Sequence, residues 1–539
     1  MCKYCDYSIL SKDPMDLAFN FQTISAILAL LIVYTVFRSI TTKYKYNKVP
    51  EPCGALPFVG HLHLLNANEP YFRTFSAMAE KYGSIFSLRL GCHNTLVVSN
   101  REIAKECLIT NDKAFASRPS IAAGRYMGYN NAVLGLAPYG KYWRDMRKIA
   151  TLEILSSYRL EKLKHVRDIE IFSLVKDLYN SLSFAKNESN SIEVPLSNFL
   201  EHMTFNYIVK MIAGKRFRTE TIGQEDSEAW RLRRAIKDAT YLSGVFVMAD
   251  AIPYLGWFDF QGYVSFMKRT FKEIDLILDK WMNEHVRNRV QDENGGCEHD
   301  FMDVLISTFE EHDVFCGHKR EIVIKATALI LILTASGSTA ITLTWALSLL
   351  LNHPSVLKAA KQELDTKIGK DKWVQECDIK DLNYLQAIVK ETLRLYPPAP
   401  LTGIREAIDD CYVAGYHVPK GTRLLINLWK LQRDPKIWSN PDEFQPERFL
   451  TTHVDLDFQS HNFEFIPFSF GRRSCPGMTF GLQVVHLTLA RLLQGFDICT
   501  KSGAPVDMNE GLGVALPKEN TLEVVLHPRL PLELYESLK

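Results

Sequence analysis

The residues with the densest chemistry lie in FSFGRRSCPG, positions 468–477. A lone cysteine is most often a small buried hydrophobe. Cys475, however, stands among Gly471, Arg473, Pro476 and Gly477, in a short turn before an apolar segment, 478–493, that reads as a helix. Glycine lets the backbone turn tightly beside a ligand. Turn amides and the positive end of the following helix favour the thiolate, the form in which sulfur binds metals. Two further patterns carry charge at helical spacing. Glu391 and Arg394 stand three apart, so their side chains share a face and can meet. Trp143 and Arg147 stand four apart in KYWRDMRKIA, 141–150. Alone, such pairs are most often solvated helix faces.

FSFGRRSCPG matches F-x-x-G-x-R-x-C-x-G, the haem-binding signature of cytochromes P450, at every fixed position, and the chain resembles that family from residue 49 to its end. The resemblance implies that Cys475 is the axial ligand of a haem b iron. A thiolate there pushes electron density onto the iron and favours O–O cleavage. It implies that Arg473 pairs with a haem propionate, and that Trp143, Arg147 and Arg405 contact a propionate likewise. Glu391 and Arg394 match the E-x-x-R pair, and Arg448 in PERF (446–449) completes a cluster that is structural rather than catalytic. The implied fold is mainly α with a small β portion and an N-terminal transmembrane helix. The implied activity is monooxygenation of a small apolar substrate. Its electrons come from NADPH through a separate partner, the NADPH–cytochrome P450 reductase.

A closer resemblance is to the plant microsomal family 82, carried by IVKETLRLYPPAPLTGIREA (388–407) and GYHVPKGTRLLINLWKLQRDPKIW (415–438). Within it, PPAPLTGIREA and GRYMGYNNAVLGLAPYG (124–140) are similar to the homoterpene-forming members. Those cleave nerolidol and geranyllinalool to C11 and C16 homoterpenes. Other members oxidise alkaloids, flavones and furanocoumarins, so hydroxylation or demethylation of an alkaloid or flavonoid stands as the alternative. By the same analogy substrate contacts are expected from 124–136, 333–339, 400–404 and 513–516. Thr402 and Ser336 are the polar handles there.

One position departs from the family. The central-helix pattern [A/G]-G-x-[D/E]-T-[T/S] is here Thr334, Ala335, Ser336, Gly337, Ser338 and Thr339. The alcohol survives as Ser338, with Thr339 beside it, and the acid is replaced by Gly337. An acid–alcohol pair delivers protons, which placed groups accelerate by ~10²–10⁴. Three readings follow: water and the Ser338–Thr339 hydroxyls relay the protons, the substrate's own hydroxyl fills the gap, or the chain is a weakly active haem-binding variant. A rival class, a haem-thiolate isomerase or dehydratase of hydroperoxides, needs no external electrons. The intact cysteine segment and Ser338 argue against it.

These residues need a large body to position them. The chain has 539 residues, a net charge of +1 and eleven cysteines without a disulfide-like framework. That excludes a general attraction to nucleic acid and a small secreted scaffold, and fits a reducing compartment. Cys2 and Cys5 form a C-x-x-C with no second pair. No G-x-S-x-G elbow occurs, which disfavours a hydrolase. Gly511-Leu-Gly513 opens no helix of a βαβ unit, so it fails as a dinucleotide fingerprint.

Residues 17–37 carry no charge and as a helix span roughly 30 Å, enough to cross a bilayer. Arg38, Lys43, Lys45 and Lys48 follow, which keeps the body cytosolic. A cleaved signal would place its basic residues before the core instead. The expected organisation is an extension (1–16, with Met15 a second candidate start), an anchor in the endoplasmic reticulum membrane (17–37), a basic, proline-stiffened hinge (38–58) and a monooxygenase domain (59–539). Asn187-Glu-Ser189 is a sequon on the cytosolic side. Residues 292–299 are the most loop-like stretch. Strands are expected at SIFSLRLG, NTLVVSN, 411–418 and 521–526, and helices at 141–150, 354–369 and 379–395. Residues 326–352 are uncharged and long enough to span a membrane. Thr and Ser in their middle favour instead a central helix buried on all sides and passing a polar site.

Overall fold

The computed structural model describes residues 48–538 apart from 67, 186–192, 218–226, 254–257, 292–299, 312, 459–460, 462 and 502, together with positions 26, 29 and 30. The extension, the Cys2–Cys5 pair, Met15, the sequon, the 292–299 loop and nearly all of the anchor lie outside the described residues.

Helices dominate, as expected. Those of eight residues or more are α1 (Tyr71–Tyr82), α2 (Lys141–Ile149), α3 (Lys164–Ala185), α4 (Leu196–Ala213), α5 (Glu228–Gly244), α6 (Tyr263–Gln291), α7 (Phe301–Thr308), α8 (Arg320–Asn352), α9 (Pro354–Lys367), α10 (Asn383–Leu395) and α11 (Met478–Gly495). The strands are β1 (Ile85–Leu90), β2 (His93–Val98), β3 (Val194–Pro195), β4 (Val314–Phe315), β5 (His318–Lys319), β6 (Arg405–Glu406), β7 (Cys411–Val413), β8 (Tyr416–Val418), β9 (Arg423–Ile426), β10 (Phe496–Cys499) and β11 (Glu523–Pro528). One sheet runs β1-β2-β9-β6, another β10-β11-β3, and β4-β5 and β7-β8 are separate pairs. In the first sheet β2 and β9 are parallel, with Thr95 opposite Arg423, which brings distant parts of the chain together. The expected helix from 379 starts later, at Asn383, because 376–381 form a separate 3₁₀ turn closed by a Gln375–Asp378 capping box.

Helix α8 is the axis of the body. Its 33 residues make it ~50 Å long. Length and composition would let it cross a membrane, but α4, α6, α7, α9, α10 and α11 surround it, and Val323 to Leu329 and Leu343 to Leu350 are buried. Trp345 stacks on Tyr396 with ring centroids 4.0 Å apart and donates Nε1–H to the Leu516 carbonyl at 2.8 Å. The end of the expected hinge already belongs to the body. Ser87 N–H bonds the Pro50 carbonyl at 2.8 Å, and buried His61 Nε2 bonds the Pro52 carbonyl at 2.9 Å.

The segment 122–137 folds back on itself as a strap. After a helical turn at Ala122–Tyr126, three consecutive residues, Tyr129, Asn130 and Asn131, take φ of +50°, +52° and +64°. Asparagine tolerates this left-handed region, whereas tyrosine pays about 1–2 kcal/mol for it. The return is tight. Asn131 N–H bonds the Gly124 carbonyl at 2.8 Å, and a Cβ on Gly124 would lie 2.2 Å from Asn131 Oδ1. Such a path persists only where its surroundings over-determine it.

Candidate functional site

The cysteine turn is built by its own backbone. Ser469 N–H bonds the Ile466 carbonyl (2.8 Å), Ser474 N–H that of Gly471 (3.0 Å), and Cys475 N–H that of Phe468 (3.0 Å). Gly471 has φ +75° and lies so close to Asp112 that a Cβ would come within 2.5 Å of its carboxylate. Gly477 is different. Its φ is −93°, and a Cβ there would meet nothing within 4 Å. The protein does not itself demand glycine at 477, and the same open space stands at Gly481 and Gly337. Cys475 lies deep in the molecule, yet its side chain borders open space. Burial pushes its thiol up, while the Gly477 N–H and the Arg147 charge pull it back toward thiolate.

Four arginines converge beside this turn. Arg473 is buried, with Nε and Nη2 on the carbonyls of Ala116 and Ala137, both at 2.6 Å, and its guanidinium 4.2 Å from the Trp143 ring centre. Arg147 Nη2 reaches Ser474 Oγ at 3.3 Å. Arg405, 1% exposed, donates from Nη2 to the Phe470 carbonyl at 3.1 Å. Arg118 donates from Nε to the Gly135 carbonyl at 3.1 Å and from Nη1 to the Ile404 carbonyl at 2.5 Å and the Gly403 carbonyl. Asp112 approaches only Arg405 among the four, at 3.5 Å, and shares itself with Arg472 at 2.6 Å. Burial, then repulsion from Arg118, Arg405 and Arg147, pushes Arg473 down to about 8, and burial and Arg405 push Arg118 to about 9. A guanidinium does not give up its proton in a protein, so the push reflects the cost of burying these charges together, which a bound anion would lower. Among the described residues, buried Arg405 Nη1 makes no hydrogen bond and faces only the Asp112 carboxylate at 3.5 Å.

A sulfur, four converging guanidiniums with one carboxylate near them, a buried guanidinium nitrogen without a hydrogen bond and glycines bordering open space fit a flat iron porphyrin with two carboxylates. Trp143, Arg147, Arg405 and Arg473 were expected here; Arg118 was not. Its only signal in the sequence is a solitary charge in the otherwise small and apolar run AFASRPSIAAG.

The second expected cluster is also present. Arg394 grips both oxygens of Glu391, at 2.7 and 2.8 Å, and Arg448 Nε donates to Glu391 Oε1 at 3.0 Å. Arg394 and Arg448 turn further donors onto the carbonyls of Gln432, Pro441, Ser439, Asn440 and Glu443. Glu391 and Arg394 are fully buried.

On α8, the expectation paired Ser338 with Thr339. The structure leaves Ser338 exposed to open space with Thr334, one turn earlier, whereas Thr339 is buried. Residues four apart share a helix face, and the next residue turns about 100° away. Ser338 Oγ donates to the Thr334 carbonyl at 2.7 Å, and its own carbonyl accepts from Thr342 Oγ1 at 2.9 Å. The polar handles proposed at Ser336 and Thr402 are corrected. Both are buried, Ser336 Oγ donates to the Ile332 carbonyl (2.8 Å), and Thr402 Oγ1 accepts the Ile426 N–H (3.0 Å). Sequence neighbourhood put them near the chamber, but both side chains are packed away from open space.

Comparison with known proteins agrees with this geometry. The family described as Cytochrome P450 matches residues 50–524. The chain is 51% identical to "Dimethylnonatriene synthase" of Arabidopsis thaliana, over 91% of this chain and 93% of that one. It is 48% identical to "Xanthotoxin 5-hydroxylase CYP82C2" of Arabidopsis thaliana, over 94% and 98%, and 47% identical to "Nicotine N-demethylase CYP82E3" of Nicotiana tomentosiformis, over 95% and 99%. A zebrafish cytochrome P450 structure with progesterone superposes with a TM-score of 0.72 at 25% identity, over 86% of this chain and all of that one.

Proposed function

The chain belongs to the cytochrome P450 family and is a haem-thiolate monooxygenase driven by NADPH through a reductase, and from that premise we propose that it cleaves a tertiary allylic terpene alcohol, nerolidol or geranyllinalool, to the C11 or C16 homoterpene. The observation that carries this reading is the 51% identity to dimethylnonatriene synthase across nearly the full chain. The open wall at Gly337 supports it. A substrate bearing its own hydroxyl can stand where an acidic side chain would otherwise reach, beside the exposed hydroxyls of Thr334 and Ser338.

In this reading Cys475 ligates the iron. Trp143, Arg118, Arg147, Arg405 and Arg473 hold the propionates. The haem supplies activation of O2. The chain's own part is to offset the burial of the sulfur with the Gly477 N–H and the Arg147 charge, to bind the apolar substrate against 122–137 and α8, and to keep a hydroxyl, Ser338 Oγ, on the open face with Thr339 packed behind it. Lys141, Arg144 and Lys148 share one face of α2, all exposed, and offer the reductase a basic docking surface. Residues 17–37 anchor the chain in the endoplasmic reticulum membrane with the body cytosolic.

The competing reading, hydroxylation or demethylation of an alkaloid or flavonoid, rests on relatives only a few per cent less similar. Microsomes carrying the chain and a plant reductase, given NADPH and nerolidol or geranyllinalool, decide between them by headspace gas chromatography. Homoterpene formed only with NADPH supports cleavage. A thiolate-type Soret band in the reduced carbon monoxide complex without homoterpene refutes it and turns the search to the other class.

A further inference from the structure

The strap's left-handed turn must be held by something outside it, and Tyr129 shows what holds it. Its hydroxyl donates to Asp275 Oδ1 on α6 at 2.7 Å. The same oxygen receives Lys325 Nζ from α8 at 2.8 Å, and Lys325 also pairs with Asp279 at 3.1 Å. Phe271, one turn before Asp275, meets the Tyr129 ring edge-on at 4.7 Å, and the Lys325 ammonium lies 5.8 Å from that ring's centre. Phe271, Asp275 and Asp279 are spaced by four, one stripe of α6 turned to the strap and to α8. Lys325 is 8% exposed on an otherwise apolar helix, a placement that requires such partners. Burial, then Asp275, raises the Tyr129 hydroxyl far above its ordinary range, so it stays a donor.

The other end of the strap is fixed to the site itself. Arg118 holds the Gly135 carbonyl at 3.1 Å, and Arg473 holds those of Leu134 and Ala137 at 3.4 and 2.6 Å. Tyr142 on α2 donates to the Ala132 carbonyl at 2.7 Å. At its start, Asp250 accepts the Ala122 N–H and Arg125 at 2.8 and 2.9 Å. Between these ties, among the described residues, the left-handed residues 129–131 have one hydrogen-bonding side-chain anchor to the helical core, the Tyr129 hydroxyl. The Asn131 amide adds only a 3.3 Å contact to Ser120.

We propose that Tyr129 is a positioning residue for the substrate: through Asp275 and Lys325 it locks the 122–137 strap to α6 and α8 and so sets the shape of the substrate chamber. This rests on the reading that the strap is a chamber wall. Nothing in the anchor touches the reacting atoms. Its effect is on where a substrate sits, and thus on the share of electrons that ends in product.

The test uses the full-length, haem-loaded enzyme with the reductase. Tyr129→Phe removes one hydroxyl and keeps the ring against Phe271, and Lys325→Met removes the other arm. Hydrogen exchange across 122–137 is compared with ligand binding, read as the shift of the Soret band with nerolidol and with an azole that ligates the iron. Hydrogen bonds to charged groups are worth roughly 10–100-fold in a local equilibrium. Exchange in 127–133 is therefore expected to rise about tenfold or more in Tyr129→Phe. Nerolidol affinity and product formed per NADPH should fall by several-fold, the turnover of NADPH should persist, and azole binding should change little. Unchanged exchange in both variants overturns the anchor and leaves the chamber wall standing. Faster exchange with unchanged affinity and unchanged product per NADPH overturns the proposal at the other point, showing that the strap is not a wall of the chamber. A Tyr129→Phe phenotype that disappears in the Lys325→Met background supports one shared anchor.

Discussion

Two sets of clustered arginines, made of the same residue type in the same protein, are solved in opposite ways. Arg394 and Arg448 share a buried carboxylate, Glu391, and turn their remaining donors onto backbone carbonyls. That set closes on itself and needs nothing from outside. Among the described residues, Arg118, Arg147, Arg405 and Arg473 are gathered with one carboxylate near one member, Asp112, which lies 3.5 Å from Arg405 Nη1 without a hydrogen bond to it. The first set therefore holds the backbone of 391–448 in place. The second, in the function proposed above, holds charge in readiness for an anion, the two carboxylates of a porphyrin. A sequence cannot tell the two apart by composition, because what differs is which acid each arginine meets.

Removing the acid from the closed set is the most damaging change. Stripping one partner from a buried ion pair costs ~3–5 kcal/mol, against a total stability of ~5–15 kcal/mol. Glu391→Ala is expected to leave no folded, haem-loaded protein, with the thiolate-type Soret band absent and the yield collapsed. A variant that retains the band and melts with the wild type would show that the cluster is dispensable, and the contrast between the two sets would fall.

The open set should behave in the reverse manner. Arg118→Ala gives up backbone hydrogen bonds to Gly135, Gly403 and Ile404 but also relieves repulsion from Arg405, so the haem-free protein should lose much less stability than Glu391→Ala does, while its affinity for haem should fall by ~10–100-fold, the worth of a charged hydrogen bond. Haem titration of the two apoproteins, with melting curves before and after loading, separates the effects. Equal losses in both states would place Arg118 in the same structural class as Arg394.

Gly337→Asp extends the contrast to an uncharged wall. A Cβ at 337 meets nothing within 4 Å, so the fold should accept the carboxylate. The expected outcome is a gain of a few-fold in product per NADPH where proton delivery limits, within the ~10²–10⁴ available to placed groups. A tenfold weaker nerolidol-induced Soret shift would show instead that the substrate occupies that space.

Much of this was legible in the sequence for a physical reason. Cys475, Trp143, Arg147, Arg405, Arg473 and the Glu391–Arg394–Arg448 cluster could be picked out because they match family motifs of fixed residue type and spacing. That α8 packs inside the body could be read from the serines and threonines at its centre, although the helix opens there, at Thr334 and Ser338, and is not buried on all sides as expected. Arg118 and the Tyr129–Asp275–Lys325 anchor were not legible. Their partners come from distant segments, and no local spacing records a meeting across 146 residues. Ser338 could be told from Thr339 only once the helix had a phase relative to the open space.

A third buried pair gives the mildest test, because here the charge itself can be titrated. His285 on α6 donates from Nδ1 to the Trp281 carbonyl at 2.7 Å and from Nε2 to Asp300 Oδ2 at 2.9 Å. Both partners accept, so the ring carries both protons. Asp300 in turn caps α7 by accepting the Asp303 N–H at 3.1 Å. Burial opposes the cation, but the hydrogen bond and charge of Asp300, the Trp281 carbonyl and the charge of Asp303 outweigh it and raise His285 to about 9. A folded value above the ordinary 6.5 means that the pair's stabilisation is complete below about pH 6.5 and is lost as pH rises through 9. Melting temperature between those limits is expected to fall by a few degrees in the wild type, with the fall reduced in His285→Gln. An identical pH slope in the variant would show that the cap holds without the charge. His285–Asp300 would then not belong with the closed set, whose Arg394 and Arg448 cannot be neutralised at any pH the protein survives.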